Sequence, residues 1–99
     1  MNLEQLEAVA AVVDAGSFRA AAEKLRRSQP ALSATIKNLE EEFQIKIFDR
    51  STYRPKLTET GAAFLNVARA TLEAAHYTAR VGEELGRTKA ETKLHISVD

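Results

Sequence analysis

The apolar residues nearest the N-terminus recur at the spacing of one helical face, every three or four positions. They are Leu3, Leu6, Val9, Ala10 and Val13. Asn2 is placed to cap the start of this helix, with Gln5 as its reciprocal partner. Gly16 is placed to end it. The pattern predicts a first helix over residues 3 to 14.

Two further helices follow closely. Ser17 is a suitable N-cap for a short, alanine-rich helix that ends near Leu25, and Ser28 is a suitable cap for the next one. Pro30 falls in the first turn of this third helix, where its missing N–H costs little. The apolar positions of the third helix are Leu32, Ile36, Leu39 and Phe43. We expect that face to be buried.

The opposite face of the third helix is small and polar at its N-terminal end. Two helices joined by a three-residue turn match the helix-turn-helix pattern, whose second helix enters the major groove of DNA. Gln29 and Ser33 can form hydrogen bonds with base edges, and Pro30 and Ala34 permit close approach to a thymine methyl group. Uncapped N–H groups at the helix start can hold a phosphate.

Residues 45 to 58 predict a small β-hairpin. Two short extended segments, 45–49 and 56–58, flank a turn at Tyr53-Arg54-Pro55, and Pro55 disfavours helix at the preceding residue. Arg50, Arg54 and Lys56 make this hairpin basic, which suits contact with phosphates or an adjacent minor groove.

A long helical pattern then runs from a Thr58 cap to about Leu85. Its apolar residues repeat in alternating three- and four-residue steps, as in a coiled coil, at Leu65, Ala68, Leu72, Ala75 and Ala79. The seam can pack against the preceding domain, but the length of the helix favours a dimer interface. Gly82 and Gly86 indicate a hinge near its end. The tail KLHISVD alternates like a strand, which we interpret as the first strand of a missing domain.

Composition narrows the functional class. The chain has 14 basic and 14 acidic residues and no cysteine, so we expect no disulfide, thiolate metal site or cofactor. No apolar run reaches membrane-spanning length, and nothing resembles a signal peptide. These features fit a cytoplasmic protein. We find no phosphate-binding glycine loop, metal-ligand spacing or activated nucleophile, and therefore predict that the chain is not an enzyme.

Charge distribution matters more than the neutral total. Five basic residues and one acid lie between Arg19 and Lys37. The acidic run 40–42 is interpreted as a solvated helix end, and His76 and His95 as ordinary surface or interface residues. Two functional classes stay open: a DNA-binding transcription regulator, and a helical interaction module with an acidic partner. The candidate DNA-binding residues are Ser17, Arg26, Ser28, Gln29, Pro30, Ser33, Ala34, Lys37, Arg50 and Arg54.

Several motifs occur together in order: SFxxAAxxL, SQPALS, IxxLE, IFDR in place of LFxR, and LTxxG. Through residue 61 the chain closely resembles the N-terminal domain of LysR-type transcriptional regulators. The resemblance implies a mainly α fold, with a winged helix-turn-helix over 1–58 (helix-turn-helix about 18–37, wing about 47–58). A linker helix over 59–88 would form a homodimer. Residues 89–99 would supply a hinge and the first strand of an absent effector-binding domain.

The same resemblance implies DNA contacts at Gln29, Pro30 and Ser33 and in the wing around Arg50 and Arg54. The target would be double-stranded DNA carrying an interrupted inverted repeat. The whole protein would be a tetramer controlled by a small-molecule effector. Many members of the family carry a basic or long polar residue at the position of Ala34, so that contact does not carry over.

Overall fold

The described part of the chain contains four helices and one two-stranded hairpin. The structure is a computed structural model that describes the backbone of residues 1–95 and the side chains of residues 1–89. In chain order the elements are α1 Leu3–Ala15, α2 Phe18–Leu25, α3 Gln29–Phe43, β1 Phe48–Asp49, β2 Lys56–Leu57 and α4 Glu59–His95. The predicted mainly α, winged helix-turn-helix fold is confirmed. Within these residues no helix is both long enough and apolar enough to cross a membrane.

The helix ends form where local side chains cap them. Asn2 accepts a hydrogen bond from the Gln5 amide at 2.8 Å, and the Gln5 side chain accepts one from the Asn2 amide at 2.9 Å. Gly16 ends α1 with φ at 84°, in the left-handed region that glycine adopts without strain. Ser17 and Ser28 each accept from an amide three residues on, at 3.0 and 3.1 Å. The predicted caps at Asn2, Ser17 and Ser28 and the predicted stop at Gly16 are therefore confirmed.

The core lies between α1, α2, α3 and the start of the hairpin. Its largest fully buried side chains are Leu6, Val9, Val12, Leu32, Ile36, Leu39 and Ile47. Burial of each such side chain contributes about 1.5–3 kcal/mol. Phe43 was expected on the buried face, but it is 43% exposed. It lies beside Phe64 at the edge of the core, with ring centroids 6.1 Å apart.

The first three residues of the predicted seam of α4 belong to this core. Leu65, Ala68 and Leu72 are 6%, 3% and 7% exposed in the single chain, so they are not available as a dimer surface. Ala75 is half-buried and Ala79 is exposed. The spacing located an apolar face correctly, but helical periodicity does not say whether the partner is the same chain or a second one.

An ion pair also holds α4 against α1. Arg69 donates to both carboxylate oxygens of Asp14, at 2.8 and 3.3 Å. The hydrogen bond from Arg69 lowers the pKa of Asp14 below its usual value. The pair therefore contributes above the unfolded-state pKa of Asp14, and its contribution is lost as the pH falls through the lowered value. Both side chains are nearly half exposed, so the contribution is small and screened by salt.

The hinge predicted at Gly82 and Gly86 is wrong for the described residues, because α4 continues through both to His95. Each glycine costs about 1 kcal/mol relative to alanine. The residues around them are mostly strong helix formers, and Arg87 pairs with Glu84 one turn away. The predicted strand is also wrong where it overlaps this helix, from Lys93 to His95. Its remainder, with Ile96 and Val98, lies outside the described residues.

Gly61 packs closely against the backbone of Ile47. A Cβ atom there would lie 2.1 Å from the backbone oxygen of Ile47. Thr58 accepts from the Gly61 amide at 2.8 Å, and its own amide donates to the same Ile47 oxygen at 3.0 Å. The LTETG segment thus joins the start of α4 to the chain just before β1.

We expect Gly61→Ala to destabilise the domain by about 1–3 kcal/mol, near the upper end, because a backbone oxygen cannot move aside as a side chain can. Gly82→Ala is the matched control. A Cβ atom at Gly82 meets nothing within 4 Å, so this change should stabilise the helix by about 0.5–1 kcal/mol. Urea unfolding of both variants measures the difference. Equal effects would contradict the close contact at Gly61.

Candidate nucleic-acid interface

The N-terminal end of α3 is exposed beside the turn that joins it to α2. Ser28, Gln29, Pro30, Ala34 and Lys37 are all exposed, and Ser33 is half-buried. The buried face of the same helix carries Leu32, Ile36 and Leu39. The predicted outward face is thus separate from the core, and its first two turns present small polar side chains.

Three of the predicted residues, from three parts of the fold, line one shallow groove. Ser17 comes from the cap of α2, Gln29 from the start of α3, and Arg54 from the tip of the hairpin. Arg19 and Tyr53 line the same groove. The groove therefore carries polar donors, two arginines and two aromatic residues, Phe18 and Tyr53.

The tip of the wing, residues 51–54, is exposed to solvent. Asp49 accepts from the amide and the hydroxyl of Ser51, at 2.9 and 2.6 Å. The hydroxyl bond is the main cause of a lowered Asp49 pKa. Tyr53 is 99% exposed at the tip. Tyr53 was predicted only as part of the turn, although an aromatic residue beside a basic one in a turn was the available indication of a functional role.

The two arginines of the helix-turn-helix turn differ. Arg27 forms an ion pair with Glu4 of α1 at 2.6 Å. Arg26 lies at the end of α2 with φ at 56°, and its side chain is exposed. The turn therefore presents Arg26 outward, while Arg27 fastens the turn to α1.

Arg50 and Ser33 were both predicted to face DNA, and the structure brings them together. The Arg50 Nη1 donates to the Ser33 hydroxyl oxygen at 2.5 Å. The guanidinium carbon lies 4.6 Å from the centre of the Phe18 ring. The Arg50 side chain is only 27% exposed.

Glu40 was predicted to lie in a solvated helix end, and that prediction is wrong. It is 6% exposed, and one of its carboxyl oxygens accepts from the amides of Ile47 and Phe48 at 2.7 and 3.2 Å. The other oxygen lies 3.8 Å from Nη2 of Arg50. A buried carboxyl group requires such partners. Glu40 follows Ile36 by four positions, so the helical spacing already placed it on the inward side.

A helix-turn-helix pair followed by a basic hairpin defines a winged helix-turn-helix protein. Residues 3–62 match the family described as bacterial regulatory helix-turn-helix protein, lysR family. The chain therefore belongs to the lysR family of bacterial regulatory helix-turn-helix proteins.

Curated relatives carry corresponding descriptions. The chain is 42% identical over 89 residues to a "probable RuBisCO transcriptional regulator" of Cyanidioschyzon merolae, covering 90% of this chain and 29% of that protein. It is 38% identical over 103 residues to an HTH-type transcriptional regulator from the ibpB-leuC intergenic region of Azotobacter vinelandii, covering 99% and 72%. These relatives are described as regulators. The chain spans less than a third of the length of the first.

Solved structures of similar domains include DNA complexes. The DNA-binding domain of BenM bound to benA site 1 DNA superposes with a TM-score of 0.81 at 35% identity, covering 87% of this chain and 97% of that one. The CbnR DNA-binding domain in complex with DNA gives a TM-score of 0.78 at 34% identity, covering 87% and 99%. This chain thus has the fold of domains solved on DNA.

We expect Glu40→Ala to destabilise the domain by about 1–3 kcal/mol per stranded amide, because two buried N–H groups lose their acceptor. Glu41→Ala, at the exposed neighbouring position, should stay within about 0.5 kcal/mol of the unmodified protein. Hydrogen exchange at the Ile47 and Phe48 amides, followed with thermal unfolding, checks this. Unchanged protection of both amides in Glu40→Ala would contradict the assignment.

Proposed function

We propose that the protein recognises an interrupted inverted repeat in double-stranded DNA as a homodimer. One α3 would enter the major groove at each half-site. The proposal is carried by one observation: the start of α3, the cap of α2 and the basic wing line a single exposed groove. Half-sites would then lie about 34–36 Å apart along one face of the duplex, or a multiple of that distance.

Within this interface the residues divide by chemistry. We propose that Gln29 and Ser33 read base edges, while Pro30 and Ala34 allow the helix to approach closely and contact thymine methyl groups. The groups that would position the protein on sugar and phosphate, without reading sequence, are Ser17, Arg26, Ser28, Lys37 and Arg54. These side chains are exposed, except for Ser17, which is half-buried, and their exposure supports the assignment.

Electrostatics supports the same orientation. The acidic residues of α3 lie at its far end, where Glu42 pairs with the N-terminal amine at 2.7 Å. Glu40 is enclosed within the domain. Phosphate would therefore meet Arg26, Lys37 and Arg54 rather than these carboxylates. In this way a chain of zero net charge would still present basic side chains to DNA.

Gln29→Ala should reduce discrimination at one base pair per half-site by about 1–3 kcal/mol, because a bidentate base contact is lost. Binding to random DNA should change little. Competition binding on duplexes that vary at single positions measures this. Equal losses on specific and random DNA would contradict base reading by Gln29.

Arg54→Ala serves as the contrasting control. As a phosphate contact, its loss should weaken binding to all sequences and reduce the slope of log K against log salt by about 0.9. Base preferences should stay as they are in the unmodified protein.

The second half of α4 provides the surface for the proposed dimer. Every residue from His76 to Lys89 is exposed, so this part of the helix extends beyond the domain. Exposed apolar residues along α4 form a stripe opposite Leu65 and Leu72, in three- and four-residue steps: Val67, Ala70, Ala74, Tyr77, Val81 and Leu85. Val67, Tyr77 and Leu85 are each more than 60% exposed.

A stripe of this kind is what a second helix covers in a coiled coil. The 37 residues of α4 give a helix of roughly 55 Å at 1.5 Å per residue. We propose that two copies of α4 pack through this stripe, which replaces the seam first predicted at Leu65, Ala68, Leu72, Ala75 and Ala79.

Tyr77→Glu should split the dimer, because the change places a charge in the centre of the apolar stripe. Ala79→Glu is the matched control, an exposed position two residues away on the other side of the helix. It should leave the dimer intact. Light scattering over a concentration series, with circular dichroism to confirm folding, measures both. A dimeric Tyr77→Glu with a monomeric Ala79→Glu would return the interface to the first seam.

The proposal extends to effector binding, oligomeric state and regulation in the whole protein. The chain spans 29% of the first relative's length. We propose that a C-terminal domain in the longer protein binds a small-molecule effector and supports a tetramer. Regulation would act without catalysis, on DNA in the bacterial cytoplasm.

A further inference from the structure

Arg50 is enclosed by groups from two helices. Its Nη1 donates to Ser33 of α3, its guanidinium lies over the Phe18 ring of α2, and its Nη2 faces Glu40 of α3. Arg50 itself comes directly after β1. A single side chain therefore connects the wing to both helices of the helix-turn-helix.

This position leaves little of the guanidinium for a phosphate. Nη2 is buried from solvent and has no hydrogen-bond partner, since the Glu40 oxygen lies 3.8 Å away. Nη1 is already bound to Ser33. Arg54, by contrast, is exposed in the wing. The two arginines of the wing thus have different surroundings, although the sequence analysis treated them alike.

The surroundings also fix the plane of the guanidinium. A cation over an aromatic face is attracted to it, and Phe18 is itself held edge-to-face against Phe48 at 5.5 Å. Phe18 and Phe48 are 9% and 3% exposed. Glu40 adds its charge on the inner side, so the guanidinium is oriented from two directions.

The hydrogen bond from Arg50 determines which hydrogen bonds the Ser33 hydroxyl can still form. A serine hydroxyl has one hydrogen and two lone pairs, and arginine can only donate. Because Arg50 occupies a lone pair, the Ser33 hydrogen stays free for another acceptor. In the major groove such acceptors are purine N7, guanine O6 and thymine O4.

We propose that Arg50 is a positioning residue that sets Ser33 to donate to an acceptor on a base edge, rather than a phosphate contact. The proposal rests on the proposed function, in which Ser33 reads a base. It adds a specificity determinant: the base read by Ser33 carries an acceptor, and Arg50 controls that preference without touching DNA.

Arg50→Lys tests the proposal, because lysine keeps the positive charge but loses the planar fork that reaches Ser33 and Glu40 together. We expect discrimination at the base pair read by Ser33 to fall by about five- to hundredfold, as in Ser33→Ala. The double variant that combines Arg50→Lys and Ser33→Ala should lose no more discrimination than either single variant, because both changes remove the same coupled contact. The salt slope should not change.

Two results would overturn the proposal. These are retained discrimination in Arg50→Lys, or additive losses in the double variant. If Arg50→Lys does not fold, the paired change Glu40→Gln with Arg50→Met removes both charges without stranding one. It should lose discrimination at an unchanged salt slope, and a slope reduced by about 0.9 would identify a phosphate contact instead.

The outcomes separate this proposal from the function on which it rests. If Gln29→Ala loses discrimination and Ser33→Ala does not, the α3 interface stands and the role of Arg50 is overturned. If the unmodified protein shows no base preference at all, both are overturned.

Discussion

The buried carboxyl group of Glu40 joins α3 to the start of the hairpin. It accepts from the amides of Ile47 and Phe48 just where the chain leaves α3 and enters β1. Two residues further, Arg50 crosses back to Ser33 over the Phe18 ring. Loss of the carboxyl group would strand two buried N–H groups and leave Arg50 without its ion-pair partner. The groove shared by Gln29 and Arg54 depends on this junction.

The long helix divides its two faces between two tasks. One face, with Leu65 and Leu72, completes the core against α1. The opposite stripe, with Tyr77 and Leu85, stays exposed along a part of α4 that extends beyond the domain. Burial of the first face helps to stabilise a small domain, since it adds apolar burial that α1 to α3 alone would lack. The second gives the proposed dimer a surface that does not compete with folding.

The sequence predicted most of the local structure because caps and periodicity are local properties. Ser17, Ser28 and Gly16 act as predicted, and α2 and α3 begin where their caps indicate. Most of the errors arose where a choice depends on distant residues, and one arose because Gly82 was weighed without its helix-forming neighbours. Periodicity could not decide what covers Leu72, propensity overstated the effect of Gly82, and charge alone placed Glu40 in solvent. The contact between Arg50 and Ser33 spans 17 positions, a separation that no short motif encodes.

Recognition of DNA by a dimer through α3 is tested by selection from a pool of random duplexes with the unmodified protein, repeated over a salt series. We expect enrichment of an interrupted inverted repeat, with half-sites about one helical turn apart or a multiple of it. We also expect the affinity to fall steeply as salt rises. Salt-sensitive binding without any enriched sequence, or enrichment of a single unrepeated site, would contradict recognition by a dimer through α3.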